Sequence, residues 1–218
     1  MTADQPPGLP RRLFNALTIP WVDKTIAVLA VLPFAYELIK MLLNGQMNIP
    51  RAVLAIHFLV VIVTMVLRTA PVRVTPNPFY WLLAFVASYW GLLVAAFAQK
   101  GVAIAPSVIT NSISILSIVV VVYARLSLGR SIGLVPAQRV IITKGAYAFV
   151  RHPIYTGIFI SYTSFMLRAY SPTNVALALL GIGYFVVKSF IEEGFLRVDP
   201  EYANYLARVR CRWFPGLM

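Results

Sequence analysis

Residues 144–157 read KGAYAFVRHPIYTG, and an apolar run follows them. Pro153 has no amide hydrogen and a fixed φ, so it suits the first turn of a helix. A helix starting there carries Ile154 to Tyr170, with its positive N-terminal end beside Arg151 and His152. Such an end can receive an anion. A second reading uses the same residues. Arginine is what the cytoplasmic end of a membrane helix carries, and a His-Pro pair also marks a plain helix start. On these residues alone both readings stand.

Composition assigns the class. The chain has 218 residues, 60% hydrophobic and only 12% charged, against about 25% charged in soluble domains. This predicts an all-α integral membrane protein. The net charge of +12 does not point to nucleic acid, because the basic residues sit in the connections between apolar runs. A single cysteine, Cys211, excludes an intrachain disulfide and a paired-cysteine metal site. The opening residues, MTADQPPGLPRRLFNAL, do not read as a secretory signal, since Pro-rich polar sequence precedes the arginines.

Six apolar runs follow a polar tail over residues 1–20: 25–43, 50–67, 79–98, 108–126, 154–169 and 173–190. Most approach the roughly 20 residues needed to cross the hydrocarbon. About six transmembrane helices are therefore expected, four of them within residues 21–126. The last two are short and joined by SPTN, which predicts a C-terminal helix hairpin. Residues 191–218 place Glu192, Glu193, Arg197, Glu201 and Arg208 against apolar positions at helical spacing. This predicts an interfacial amphipathic tail helix, broken at Asp199-Pro200. Glu37 is the one acid well inside an apolar run, and Lys40, three residues on, can pair with it on one face. His57 reads as a packing residue within its helix.

Six spans with a cytoplasmic N-terminus put fifteen of the Lys and Arg residues on the inside and four on the outside. That is a positive-inside bias, and it predicts both termini at the cytoplasmic face. Arg151, His152, Lys188, Glu192 and Glu193 then meet at that face, on two ends of one hairpin. A carboxylate there can bind an ammonium or a ribose diol, and a cation can bind a carboxylate or phosphate. An ion-pair network that only anchors the hairpin fits the same residues. No Gly-rich phosphate loop, Ser-His-Asp arrangement or metal-spaced His cluster is present, so no metal is expected.

The segment VIITKGAYAFVRHPIYTG, an apolar hairpin, and then EEGFLRVDPEYANYLARVRCRWFPG together resemble the isoprenylcysteine carboxyl methyltransferase family, with the related phospholipid N-methyltransferases. The residues that carry the resemblance are Gly145 and Tyr147, Arg151 to Gly157, Glu192-Glu193, Leu196, Tyr202, Tyr205, Val209 and Pro215. They cover about the last 80 residues; the first 125 match only as membrane spans.

The resemblance implies a methyltransferase-like region over 127–218 that binds S-adenosyl-L-methionine at the cytoplasmic face. The cofactor contacts carried over are Arg139, Val140, Ile141 and Ile142 through the backbone, then Tyr147, Arg151, His152, Pro153, Ile154, Tyr155 and Glu192. Lys188, where the family often has arginine, lies near the substrate. If the acceptor is an amine, Glu193 or a tyrosine such as Tyr205 is the expected aid to its deprotonation. The implied partners are the membrane bilayer and a lipid or prenylated small-molecule or protein substrate. Carboxyl O-methylation of an isoprenylcysteine-like group is the first expectation, and phospholipid N-methylation the alternative.

NADPH-dependent sterol or steroid reductases share a related RHPxYxGE-like segment. Here Ile154 and Ile158 stand where those usually carry Asn and Glu. The intact His152, Tyr155 and Glu192 argue against a non-catalytic scaffold.

Overall fold

The computed structural model describes residues 19–45 and 49–216, so all but the end of the expected polar tail lies outside the described residues. Six long helices stand where the six apolar runs were expected. They are α1 (Pro20–Leu43), α2 (Ile49–Val66), α3 (Pro78–Phe97), α4 (Ser107–Leu128), α5 (Pro153–Arg168) and α6 (Pro172–Leu196). A short helix α7 (Pro200–Arg208) follows. By length and hydropathy α1, α3, α4 and α6 can each cross a membrane, and the protein is an all-α membrane protein. At 1.5 Å per residue, the 16 residues of α5 reach about 24 Å, short of a typical hydrocarbon core.

Proline opens α1, α3, α5, α6 and α7 at the first turn, where its missing amide hydrogen costs nothing. Asn77, Ser171 and Asp199 cap α3, α6 and α7 with side-chain oxygens. The Asp199 cap and Pro200 make the break expected in the tail. One boundary differs from expectation. The apolar run ends at 190, but α6 continues to Leu196 through Glu192 and Glu193. Hydropathy stops at the first charges; the helix does not, because those charges are paired by neighbouring segments.

Alternate connections meet at one end of the bundle. The two-residue strands β1 (Arg73–Val74, after α2) and β2 (Ala137–Gln138, after α4) pair antiparallel. Arg73 also donates to the Phe195 carbonyl at the foot of α6. At the other end Val102, after α3, pairs with Tyr170, after α5. The helices therefore run up and down, and the 129–152 segment, the end of α6 and the tail share one end.

Helix α4 packs on α5, and α5 on α6. The α4–α5 approach depends on Gly157: a Cβ there would run into the Val121 side chain and lie 2.9 Å from the Ser117 carbonyl. Ser117 Oγ instead donates to the Gly157 carbonyl at 2.9 Å. Glu37 and Lys40 pair at 3.1 Å on an exposed face. His57 packs its ring against Phe58.

Candidate active site

A cavity of about 240 Å³ opens between the hairpin, the 129–142 segment and the inner faces of α1, α2 and α4. Its polar end is lined by Tyr147, Arg151, His152, Tyr155 and Glu192, with Tyr202 and Tyr205 from α7. Its inner end is apolar, with Ala30, Val31 and Phe34 from α1, Val61 and Met65 from α2, and Ile158 and Phe185 from the hairpin. Lys188, between Phe185 and Glu192 along α6, and Arg125, bonded to Thr64 of α2, also line the cavity.

The adjacent glutamates have opposite surroundings. Glu192 lines the cavity. It accepts from the Tyr155 hydroxyl at 2.7 Å, and its other oxygen lies 3.8 Å from Lys188 Nζ. Glu193 does not line the cavity and is 2% exposed. Its Oε1 meets His152 Nε2 at 3.0 Å and Arg212 Nε at 2.9 Å; its Oε2 meets Arg151 Nη1 at 2.9 Å and Arg212 Nη2 at 3.0 Å. A carboxylate so occupied has no lone pair to spare for a substrate proton. The expected role of Glu193 as a base gains no support from this geometry, in which the carboxylate joins Arg151, His152 and Arg212 of the tail.

The tail is held by its backbone as well. Arg151 N–H donates to the Cys211 carbonyl at 3.0 Å and His152 N–H to the Arg212 carbonyl at 2.9 Å. Thr156 Oγ1 donates to the Trp213 carbonyl, and the Arg212 guanidinium lies over the Phe190 ring at 3.9 Å. The His152 ring stacks on Tyr155 at 5.1 Å and 9°. With Nε2 engaged by Glu193, Nδ1 lies 3.8 Å from Glu192.

The expected role of Tyr205 likewise gains no support. Its ring lines the cavity, but its hydroxyl donates to the Tyr147 carbonyl at 2.9 Å and so clasps α7 to the 145–148 turn. Burial pushes the Tyr147, Tyr202 and Tyr205 hydroxyls well above the ordinary tyrosine range, and neighbouring glutamates push further in the same direction. All three stay protonated at neutral pH and are poor bases. Pro153 does not line the cavity; it opens α5.

Arg139, Val140, Ile141 and Ile142 form one edge of the cavity. Among the described residues the backbone N–H groups of 140–142 find no partner within the chain. Free backbone donors at a cavity wall are what a heterocyclic ligand uses. The Arg139 side chain turns the other way. Its guanidinium and that of Arg68 converge on Asp23 of α1, at 3.2 and 2.7 Å. Burial, with the like charge of Arg68, lowers Arg139 to about 10 against the pull of Asp23, so it remains charged at neutral pH. Asp23 thereby fixes the edge that leads into Val140.

This cluster escaped the sequence reading because its members lie 45 and 116 residues apart. Asp23→Asn would leave two buried guanidiniums facing a neutral amide. We expect a loss of about 3 kcal/mol, seen as a lower unfolding temperature in detergent. An unchanged melt would show that the cluster carries no stability.

Gly145 supplies the turn before Tyr147. Its φ is +62°, and a Cβ there would collide with Ser127 of α4. Ser127 Oγ accepts from the Ala146 N–H at 3.2 Å, locking the turn onto α4.

Lys188, Tyr147, Arg151, His152, Ile154, Tyr155 and Glu192 all line one cavity together with 139–142. Sequence reasoning did not single out Arg125. It was counted only among the inside charges, at the end of the 108–126 run, whereas α4 continues to Leu128 and Arg125 lines the cavity. No curated protein matches the chain significantly. Residues 112–199, which contain most of these site residues, match the family model for phospholipid methyltransferase. Over that segment, less than half of the chain, the protein is similar to the phospholipid methyltransferases.

Proposed function

We propose that this is an S-adenosyl-L-methionine-dependent integral membrane methyltransferase acting on a lipid or lipidated acceptor. The observation that carries it is a single cavity that is polar at one end and apolar at the other, within the segment matched to the methyltransferase family. S-adenosyl-L-methionine, when bound, supplies an electrophilic methyl group on a sulfonium and leaves as a thioether. The polar end suits its parts. Glu192 offers a carboxylate for an ammonium or a ribose diol, His152 and Arg151 stand at the start of α5 for a carboxylate, and the edge 140–142 offers free amides for the base. The apolar end, reached between helices, suits a lipid chain.

Among the described residues Glu192 is the only acidic side chain lining the cavity, and the Tyr155 hydroxyl already donates to it. The tyrosines are held protonated. A carboxylate acceptor needs no base, whereas an ammonium must first lose a proton. This favours carboxyl O-methylation, as of an isoprenylcysteine-like group. The family description favours phospholipid N-methylation, which is the second reading. We place the site and both termini at the cytoplasmic face, on the charge distribution.

The test is calorimetric titration of the purified protein in detergent with S-adenosyl-L-methionine, S-adenosylhomocysteine and NADPH. Micromolar binding of the first two and none of NADPH is expected. Binding of NADPH alone would sink the reading. Methyl transfer to N-acetyl-S-farnesylcysteine and to phosphatidylethanolamine then separates the two acceptors.

A further inference from the structure

The charges around the cavity do not balance. Arg139 is matched by Asp23, and Arg151 by Glu193. Lys188 and Arg125 remain, and among the described residues Glu192 is the one acid that lines the cavity with them. Lys188 is 5% exposed and lies 3.8 Å from Glu192, beyond a normal hydrogen bond. Arg125 has less. One of its terminal nitrogens donates to Thr64 Oγ1 at 3.3 Å, and its Nε is buried with no partner. Among the described residues no carboxylate lies within ion-pair distance of it. Arg125 and Lys188 line the same cavity. Tyr147 and Tyr155 line that cavity with them, and Thr64, which Arg125 contacts, lies between the lining residues Val61 and Met65.

An arginine with an orphaned donor beside a second cation, among apolar helices, is costly unless an anion joins it. The methyl donor brings no net negative charge, and its carboxylate is already given to Arg151 and His152. Its amino-acid part is a zwitterion and its sulfonium adds one positive charge. The compensating charge must arrive on the acceptor, at the head of an apolar chain.

We propose that Arg125 and Lys188 form a two-pronged clamp for an oxyanion on the acceptor lipid, with Arg125 as a specificity-determining residue. The planar guanidinium presents paired donors, and the ammonium a point charge. Carboxylate and phosphodiester share the required chemistry; a neutral lipid of the same chain lacks it. This inference rests on the lipid methyltransferase reading and adds to it a residue outside the recognised C-terminal pattern and the class of group it holds.

Binding without turnover tests it. Affinity is measured in detergent, in the presence of S-adenosylhomocysteine, for two pairs of probes. One pair is N-acetyl-S-farnesylcysteine and its carboxamide; the other is a short-chain phosphatidylethanolamine and the matching diacylglycerol. The wild-type protein should prefer the oxyanion-bearing member of at least one pair by about tenfold or more, as expected for a charge-assisted hydrogen bond. The preferred pair identifies the source of the oxyanion. Arg125→Gln should erase the preference and Arg125→Lys should keep part of it, with S-adenosylhomocysteine affinity within about twofold of wild type in both.

No preference in the wild-type protein overturns the proposal, whatever the variants do. A preference that survives in Arg125→Gln overturns it too. Failure of wild-type protein to bind S-adenosylhomocysteine would instead sink the methyltransferase reading, and the same lipid pairs measured without it still decide the clamp.

Discussion

Glu193→Ala is expected to release the tail from the helix hairpin. The carboxylate holds Arg151, His152 and Arg212 together, and the alanine strands two guanidiniums and an imidazole at a buried junction. Removing one partner of a buried ion pair costs about 3–5 kcal/mol, and here one substitution removes the shared partner of three. The backbone bonds from residues 151 and 152 to 211 and 212 depend on the same alignment and should loosen with it. The readouts are unfolding in detergent and limited trypsin digestion. The melting temperature should fall, and cleavage after Arg208, Arg210 and Arg212 should accelerate strongly over wild type. Equal protection in the two proteins would show that the tail is held by something else. Glu193→Gln keeps the shape and some hydrogen bonds without the charge, and should fall between them.

Glu192→Gln should do the reverse, sparing the fold and removing the ligand. The side chain is 20% exposed toward the cavity, and a glutamine oxygen can still accept from Tyr155. The drop in melting temperature should be well below that of Glu193→Ala. S-adenosyl-L-methionine affinity should fall about a hundredfold, near 2.7 kcal/mol, as a charge-assisted contact becomes a neutral one. Calorimetry measures this directly. An unchanged affinity would mean that the cofactor's ammonium and ribose lie elsewhere. The two variants together separate adjacent residues that the sequence presents as an undivided pair.

That separation shows where sequence reading ran out. The six helices were legible because each apolar run meets a length criterion set by the bilayer, and the prolines and caps that start them are local signals. The cavity's C-terminal half was legible because its residues cluster within a few turns of one hairpin. Whether Glu192 or Glu193 faces the cavity depends on which face of α6 meets the tail, and that is decided by Arg212, 19 residues away. Asp23 carried no signal at all, since its meaning depends on Arg68 and Arg139 arriving from two later connections. Arg125 was hidden in plain view, because a positive charge at a membrane-helix end has an ordinary explanation until the helix is seen to continue past it.

The Asp23 cluster bears on how this scaffold can be divided and exchanged. Residues 127–218 read as a unit, and the matched segment 112–199 lies mostly within it. Yet Arg139 is neutralised by the first helix, and the deep wall of the cavity comes from α1 and α2. A chimera that transplanted the C-terminal half onto a different set of leading spans would import an orphaned guanidinium and lose the floor of its own pocket. The transferable module is therefore larger than the motif: the first helix must travel with the last two.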